Sequence, residues 1–534
     1  MKTRLFRRTD SHLSRQRPVR RALCIALGAL LVASCGGDDA DTPPPADTPA
    51  EAPHPDNVTP APPAPVPEPP PPPIPPAPPS PPSTDDGADP EDTPAQPDPQ
   101  AALKAQAREY ASALWKSIEA METRPMFPAN KACLNNSGVL NPVNWMFVGE
   151  LGMYIMNVTA ARDLGMITPE DAHRRMAAML PKMAALQAEA RTRGAPGGLF
   201  LGSANSTTGV PGSDVGVVEN AWVAAALALA KQAYPELAAQ SGAILAQMRF
   251  DTMLDQTKQQ YHINYNPATG QHSTATYGLL GETRLIAYAG IALGQVPRSQ
   301  YFHIGRVPTW AERTVDPAKF RTYEGVSVYE GTRSYQGQHF MATLGGSVFE
   351  AFSVPILISE QEWGVNSWAR SHPNLAKAHV RYGHESIPGG YWGFSPATIP
   401  ANNGYTEYGA PPLSLGGGYR SEGQRVDTRA GPVVSLFSVF MLMEYEPEAA
   451  MANMRKLLET FPALNHPTYG FMDSVDVVNG TVAKCMIYGD NSLALGAIAN
   501  YLTNGKLRGY VDKEWGHALQ PLLAIEEFSI PAQP

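Results

Sequence analysis

Six segments of this 534-residue chain are apolar or small on nearly every side: Phe147 to Ala161, Val217 to Ala233, Tyr277 to Leu293, Gly346 to Ile358, Pro432 to Glu444 and Asn491 to Leu502. A helix with no polar face has to be enclosed by protein. Most of the six are followed by a more amphipathic segment that carries helix start signals. Thr168-Pro169-Glu170-Asp171 offers an N-cap, a first-turn proline and first-turn acids for a helix running through Ala190. Pro235-Glu236 and Pro447-Glu448 open two others, and Ala101 to Met121 would be a further outer helix. Enclosed helices, each paired with an amphipathic one, predict an inner ring inside an outer ring: an all-α, (α/α)6 barrel. A helical solenoid is the rival architecture, but its repeats would be shorter and more uniform.

Two hairpins interrupt the helical pattern. Tyr261 to Tyr265 alternates and meets the turn Asn266-Pro267-Ala268-Thr269-Gly270, while Gly470 to Val478 and Thr481 to Tyr488 flank Asn479-Gly480, a two-residue hairpin signal. Each runs into an enclosed helix. In an inner/outer barrel the loops before inner helices gather at one mouth, so these small β-hairpins are expected to frame a cleft.

Upstream of Ala101 the composition forbids such a fold. Residues 41–100 hold 26 of the 53 prolines, 11 acids and no Lys or Arg, and runs such as Pro69 to Pro73 favour extended polyproline II. Residues 35–100 therefore read as a Pro-rich, disordered tether; the competing reading, a ligand for a proline-recognition module, lacks a basic residue flanking a PxxP. Residues 1–34 read as a signal peptide: a basic stretch ending at Arg20-Arg21, an apolar run Ala22 to Val32, then Ala33-Ser34-Cys35. The run is too short to remain as a membrane span. LVASC resembles the bacterial lipobox, which implies cleavage before Cys35 and lipidation of its thiol, hence a membrane anchor; an ordinary cleaved signal peptide is the alternative. Gly36 in the following position favours, by resemblance to Gram-negative lipoproteins, the outer membrane.

Residues 101–534 carry 33 basic and 36 acidic residues, so this domain advertises no clustered positive footprint, and nucleic acid is not an expected partner. The 12 His show no paired spacing, and neither a catalytic metal nor a cofactor is expected. A monomer is expected. Cys24 leaves with the signal and Cys35 is taken by lipid, so Cys133 and Cys485 remain. They precede the first and last inner helices, neighbours in a closed ring, and an oxidising compartment allows them to form a disulfide.

Eight blocks, in order, resemble the glucoamylase-like domain of bacterial glucan enzymes, which includes endo-β-1,2-glucanases and part of cyclic β-1,2-glucan synthases. They are Asn144 to Ile167, Val218 to Leu237, Ala275 to Arg306, GGSVFEAFSVPIL (Gly345 to Leu357), YWGFS (Tyr391 to Ser395), GYTEYGAPPL (Gly404 to Leu413), YGFMDSVD (Tyr469 to Asp476) and YGDNSLALGAIANYLTNG (Tyr488 to Gly505). The resemblance implies an (α/α)6 barrel acting on β-glucan or a related polysaccharide. Two departures stand out: the family has an Asp where this chain has Gly278, and the synthase branch has a Glu where this chain has Pro396.

Glycosidic cleavage needs one carboxyl to protonate the leaving oxygen and another to activate water or attack the anomeric carbon. Glu350, in the first turn of an enclosed helix among Val348, Phe349, Ala351 and Phe352, is the expected acid, because desolvation would raise its pKa; it also matches the family's FEY glutamate. The competing role is a backbone-capping glutamate. Asp473 is the first choice for base or nucleophile. Asp490 is the second, though Gly-Asp-Asn before an apolar helix also suits an N-cap. Glu282 and Arg284 either bind sugar hydroxyls or form a buried ion pair. Tyr391, Trp392, Tyr405, Tyr408 and Tyr419 read as a stacking platform for pyranose rings, with Glu407 beside them as a sugar ligand and Glu330 held in reserve. Two other functions stay open: a glycan-binding lipoprotein without catalysis, and a polysaccharide lyase.

Overall fold

The computed structural model describes residues 99–124, 127–307, 315–415, 420–421, 424–425 and 431–532. The signal peptide, the tether, the lipidation residue Cys35 and Tyr419 lie outside the described residues.

In chain order the helices are α1 (Pro99–Ala120), α2 (Gly149–Asp163), α3 (Pro169–Thr192), α4 (Val217–Ala233), α5 (Ala238–Leu245), α6 (Arg284–Ala292), α7 (Ser299–Phe302), α8 (Val348–Phe352), α9 (Glu360–Trp363), α10 (Trp368–Ser386), α11 (Leu436–Met441), α12 (Pro447–Thr460), α13 (Tyr488–Thr503) and α14 (Lys506–Leu523). The six apolar segments supply α2, α4, α6, α8, α11 and α13. In α4 every residue except Glu219, Lys231 and Gln232 is buried, and in α2 every residue except Arg162 and Asp163. These helices pack in chain order: α2 on α4, α4 on α6, α8 on α11, α11 on α13, and α13 back on α2. Between α6 and α8 the link is polar, because Arg284 donates to the carbonyls of Glu350 and Ala351 at 2.8 and 2.7 Å. Gly152 permits the close approach of α2 to α4: a Cβ there would lie 2.7 Å from the carbonyl oxygen of Trp222.

The amphipathic helices lie outside this set, α3 against α2, α5 against α4, α12 against α11 and α1 against α13. Helix α3 starts where its signals fall: Thr168 Oγ1 accepts from the Asp171 amide at 3.1 Å, and Pro169 occupies the first turn. Helix α14 crosses the C-terminal ends of the inner helices, through an ion pair of Lys231 with Glu514, a bond from Arg162 to the Tyr510 hydroxyl (2.8 Å), and a bidentate bond from Arg508 to Glu444 (2.8 Å each).

The fold is predominantly helical, but not all-α. Short antiparallel strands gather before the inner helices: Asn264–Asn266 pairs with Gln271–His272 and with Val215–Gly216, and Ser474–Asp476 pairs with Thr481–Val482 and with Val433–Ser435. Lys131–Leu134 pairs with Cys485–Ile487, in register Cys133 to Cys485, and with Leu140–Pro142. The Asn479-Gly480 hairpin departs from the expected two-residue turn. Its loop is Val477 to Gly480, because Asp476 Oδ1 accepts from the amides of Val478 and Asn479 (3.0 Å each) and Gly480 takes a positive φ of 67°.

Three inner helices are shorter than their apolar runs. Helix α8 gives way to a tight turn at Val354–Ile356, where Pro355 lacks the N–H that a helix needs. Residues 433–435 are taken as a strand ahead of α11. Helix α6 begins at Arg284 rather than Tyr277, because Leu279 bridges to Gly305 and the Glu282 amide turns away to meet Glu350.

Candidate functional site

Five of the six inner helices carry a carboxyl at their N-terminal end: Glu150, Glu219, Glu350 and Asp490 in first turns, and Glu282 two residues before α6. Helix N-termini favour anions. Burial works the other way, and here burial dominates.

Glu350 is buried. Ser347 caps α8 by accepting from the Glu350 amide at 3.2 Å, but the Glu350 carboxyl does not complete a capping box. Its Oε2 instead accepts from the backbone N–H of Glu282 at 2.7 Å, and a Cβ on Gly281 would sit 2.4 Å from that oxygen. Loss of water pushes the Glu350 carboxyl up to about 7; the Glu282 amide opposes this and the Glu407 carboxyl adds to it. Glu282 is buried beside it, with Oε1 accepting from Trp222 Nε1 at 2.9 Å, and burial followed by repulsion from Glu350 raises it well above the carboxylate range. Glu407, half-buried, is pushed up to about 7 by desolvation.

Asp473 and Asp490 form the second carboxyl group. Asp473 Oδ2 accepts from the Thr398 amide at 2.6 Å, and the Asp473 amide donates to the Cys485 carbonyl at 2.9 Å. Asp490 does not cap α13: the N-cap is Ile487, and Asp490 already lies within the first turn. The two side chains are within hydrogen-bonding reach of each other, while Asp473 Oδ1 and Asp490 Oδ2 are buried without another partner. One shared proton satisfies both. Burial, and then the charge of Asp473, raises Asp490 well above the usual range, so Asp490 is the member that holds a proton. Lys131 balances the pair. Its Nζ donates to the Asn403 carbonyl at 2.6 Å; burial lowers its pKa, and the attraction of Asp473 and Asp490 resists this.

Tyr405 joins the two groups. Desolvation raises its phenol well above 10, and the carboxyls acting on it are Asp490, Glu407, Asp473 and Glu282, members of both groups. Glu350, Glu282, Glu407, Tyr405, Asp473 and Asp490 thus share one mouth, at the hairpin Ala397–Thr398 with Tyr405–Thr406. Chemically it offers a carboxyl that keeps its proton near neutrality, Glu350, and a second carboxyl, Asp473, held by the Thr398 amide and Asp490.

Other expected site residues fall elsewhere. Arg284 is not a sugar ligand: its fully buried guanidinium bonds Glu360 at 2.6 and 2.9 Å and the carbonyls of Gly281, Glu350 and Ala351. That leaves no free donor. Tyr391 and Trp392 are not a platform either. Tyr391 reaches the outer helix α12 through Thr460 (3.0 Å), Phe461 and Lys456, and Trp392 is 1% exposed behind Gly383. Tyr408 is buried with Ala397 and Val433. Glu330 lies apart, buried with Arg306 (3.7 Å) near Glu526, and is pushed up to about 8. A side chain at Gly278 would meet the Gln260 amide, so Gln260 fills the direction the family's Asp would take. Cys133 and Cys485 are bonded, with sulfurs 2.06 Å apart.

Sequence reasoning passed over Glu219, Lys131 and Trp222. Glu219 carried a usable signal, since it stands in the first turn of an enclosed helix as Glu350 does. Lys131 carried none, because its partners come from residues 403–404, 473 and 490.

The architecture defines a class of predominantly helical proteins, and solved structures share its fold. An endo-β-1,2-glucanase from Chitinophaga pinensis, in complex with sophorotriose and glucose, aligns with a TM-score of 0.60 at 14% identity over 79% of this chain and 98% of its own. An endo-β-1,2-glucanase from Talaromyces funiculosus, in complex with sophorose, aligns at 0.57 and 13% identity over 80% and 91%. A Bacteroides fragilis protein aligns at 0.57 and 18% identity over 81% and 99%. Residues 310–511 match the model of the Glycoamylase family, described as "Putative glucoamylase", and the Bacteroides structure carries the same description. No curated protein matches the sequence.

Proposed function

We propose that this chain is a glycoside hydrolase or transglycosylase built on an (α/α)6 barrel, cleaving β-glucan or a related bacterial polysaccharide with two carboxyls. Glu350 is the acid and Asp473 the base or nucleophile. The observation that carries this reading is two buried carboxyl centres in one mouth: Glu350, pushed up to about 7 by burial, and Asp473, held by the Thr398 amide beside Asp490.

The chemistry follows from the partners. Because Glu350 Oε2 is occupied by the Glu282 amide, the proton resides on Oε1, which has no hydrogen bond among the described residues, and passes to the departing glycosidic oxygen. Positive charge grows at the anomeric carbon as that bond breaks, and Asp473 supplies the opposing negative charge. Asp490 and the Thr398 amide hold Asp473 in place. Glu407 and Tyr405 are left to bind sugar hydroxyls between the two groups.

The same carboxyls weigh against a polyuronate lyase, since an acidic chain would enter a mouth with one lysine against five carboxyl groups. Retention of both carboxyls weighs against a purely binding role. For location, we propose export with cleavage before Cys35, lipidation there and placement at the outer membrane, with residues 36–100 as the spacer; LVASC and the proline-rich composition support this.

The test is incubation of the purified protein with linear and cyclic β-1,2-glucan and with other β-glucans, products being read by mass spectrometry. Saturated oligosaccharides are expected. Unsaturated ends, or no product from any glycan, overturn the reading.

A further inference from the structure

Of the expected aromatic platform Tyr391, Trp392 and Tyr408 are core and Tyr405 lies in the mouth, which has a further aromatic residue of another origin. Among the described tryptophans, Trp115, Trp222, Trp368, Trp392 and Trp515 are buried, and Trp363 is packed towards Gly516 of α14, at the opposite end. Trp145 is half-buried and stands on the segment leading into α2, that is, on the mouth side. Its ring meets Phe147 edge to face, centroids 5.1 Å apart at 85°. Its indole N–H has no hydrogen bond among the described residues. The backbone beneath is fixed: the Trp145 carbonyl accepts from the Asn130 amide at 2.9 Å, and Met146–Phe147 pairs with Ser203–Ala204.

A carboxyl stands beside this segment. A Cβ on Gly149, two residues after Phe147, would lie 3.3 Å from Glu219 Cα, and one on Gly216 would lie 2.1 Å from Glu219 Oε2. That oxygen is buried without a partner, as is Asp214 Oδ1. Glu150, by contrast, is spent on Asn130 and on the Phe147 amide. The sector between α2 and α4 therefore presents a held aromatic ring and an acceptor with nothing to accept. A pyranose ring matches both: its C–H face stacks on an aromatic plane and its hydroxyls donate to carboxylates.

The position gives the subsite its meaning. In packing order α2 is three helices from α8, with axes spaced by about 8 to 10 Å, but directly beside α13, which carries Asp490, so Trp145 stands on the side of the Asp473–Asp490 pair and away from Glu350. We infer that Trp145 and Glu219 form a sugar-binding subsite beyond the Asp473–Asp490 pair, which holds a sugar of a long glycan chain next to, and not at, the bond being cleaved. The inference rests on the hydrolase reading for its substrate class. It makes the protein select polymer over short oligosaccharide.

The test measures binding in a Glu350→Gln background, which halts turnover, with β-1,2-glucan polymer and with its disaccharide sophorose as probes. Adding Trp145→Ala should raise the polymer Kd about five- to ten-fold, as loss of a stacking contact does, and leave the sophorose Kd unchanged. Trp145→Phe should restore most of the polymer affinity, and Glu219→Gln should weaken it less than Trp145→Ala. Thermal melts of each variant separate lost binding from lost folding. An unchanged polymer Kd in well-folded Trp145→Ala, or an equal loss for sophorose, overturns the subsite. Polymer affinity that depends on Trp145, in a wild type that hydrolyses nothing, leaves the subsite standing and removes the hydrolase reading. A wild type that binds neither probe overturns both.

Discussion

The backbone N–H of Glu282 lies 2.7 Å from Glu350 Oε2, and this one bond joins the start of α6 to the start of α8 at the mouth. It fixes which oxygen of Glu350 faces the protein and which faces the cleft. Burial raises the carboxyl despite the bond, and the two effects leave an acid poised near neutrality.

Glu350→Gln should therefore keep the fold, since the amide oxygen can still accept from Glu282. Turnover of the responsive glucan should fall by about 10²- to 10⁴-fold or more. Steady-state assays with a poor leaving group check this; near-normal turnover would remove Glu350 from the acid role.

The pH dependence has a defined sign. The folded pKa of Glu350, about 7, is above the ordinary 4.5, so between these values the folded state binds more protons than the unfolded state. Stability from this group is complete below about 4.5 and is lost as pH rises through 7. Activity, which needs the proton, should fall over the same upper limb. Glu350→Gln should thus melt higher than the wild type at pH 8, by a difference that shrinks towards pH 5. Melts across pH 5 to 8 decide it, and a constant difference would contradict the assigned protonation.

Arg284 should matter to folding and not to sugar affinity. Burial pushes Glu360 up, but the Arg284 guanidinium and the bond from His372 overcome this and hold it at about 2, so the pair is fully charged inside the core. Removing one partner strands the other, at about 3 to 5 kcal/mol. Arg284→Ala should show that loss in urea unfolding. A stable variant with weakened glycan binding would return Arg284 to the cleft.

Helix α4 was legible to its end residues because small apolar side chains on all sides have one use. Helices α6, α8 and α11 were legible in kind but not in length. What shortens them is either local and readable, as at Pro355, or a long-range bond with no sequence signature, such as that between the Glu282 amide and Glu350. Asp490 looked like a cap because Gly-Asp-Asn is what a cap requires; the strand Cys485–Ile487 runs straight into α13 and leaves the cap to Ile487. Tyr391 and Trp392 were misplaced for a different reason. Glycine-rich aromatic segments are composed alike whether they cover a cleft or wedge against an outer helix.

The disulfide should affect both stability and rate. Cys133 and Cys485 close a span of 352 residues, and loop-closure entropy puts the stabilisation at about 6 kcal/mol, less any strain in the folded state. The bridge also lies on the path to the base: the Cys485 carbonyl accepts the Asp473 amide at 2.9 Å, Lys131 stands two residues before Cys133, and Asp490 follows five residues after Cys485. Cys133→Ala with Cys485→Ala should lower the urea midpoint. At temperatures where the protein stays folded, it should also lower kcat more than it changes KM, because Asp473 and Lys131 lose their common tether. A variant with lowered stability and an unchanged kcat would confine the bridge to stability alone.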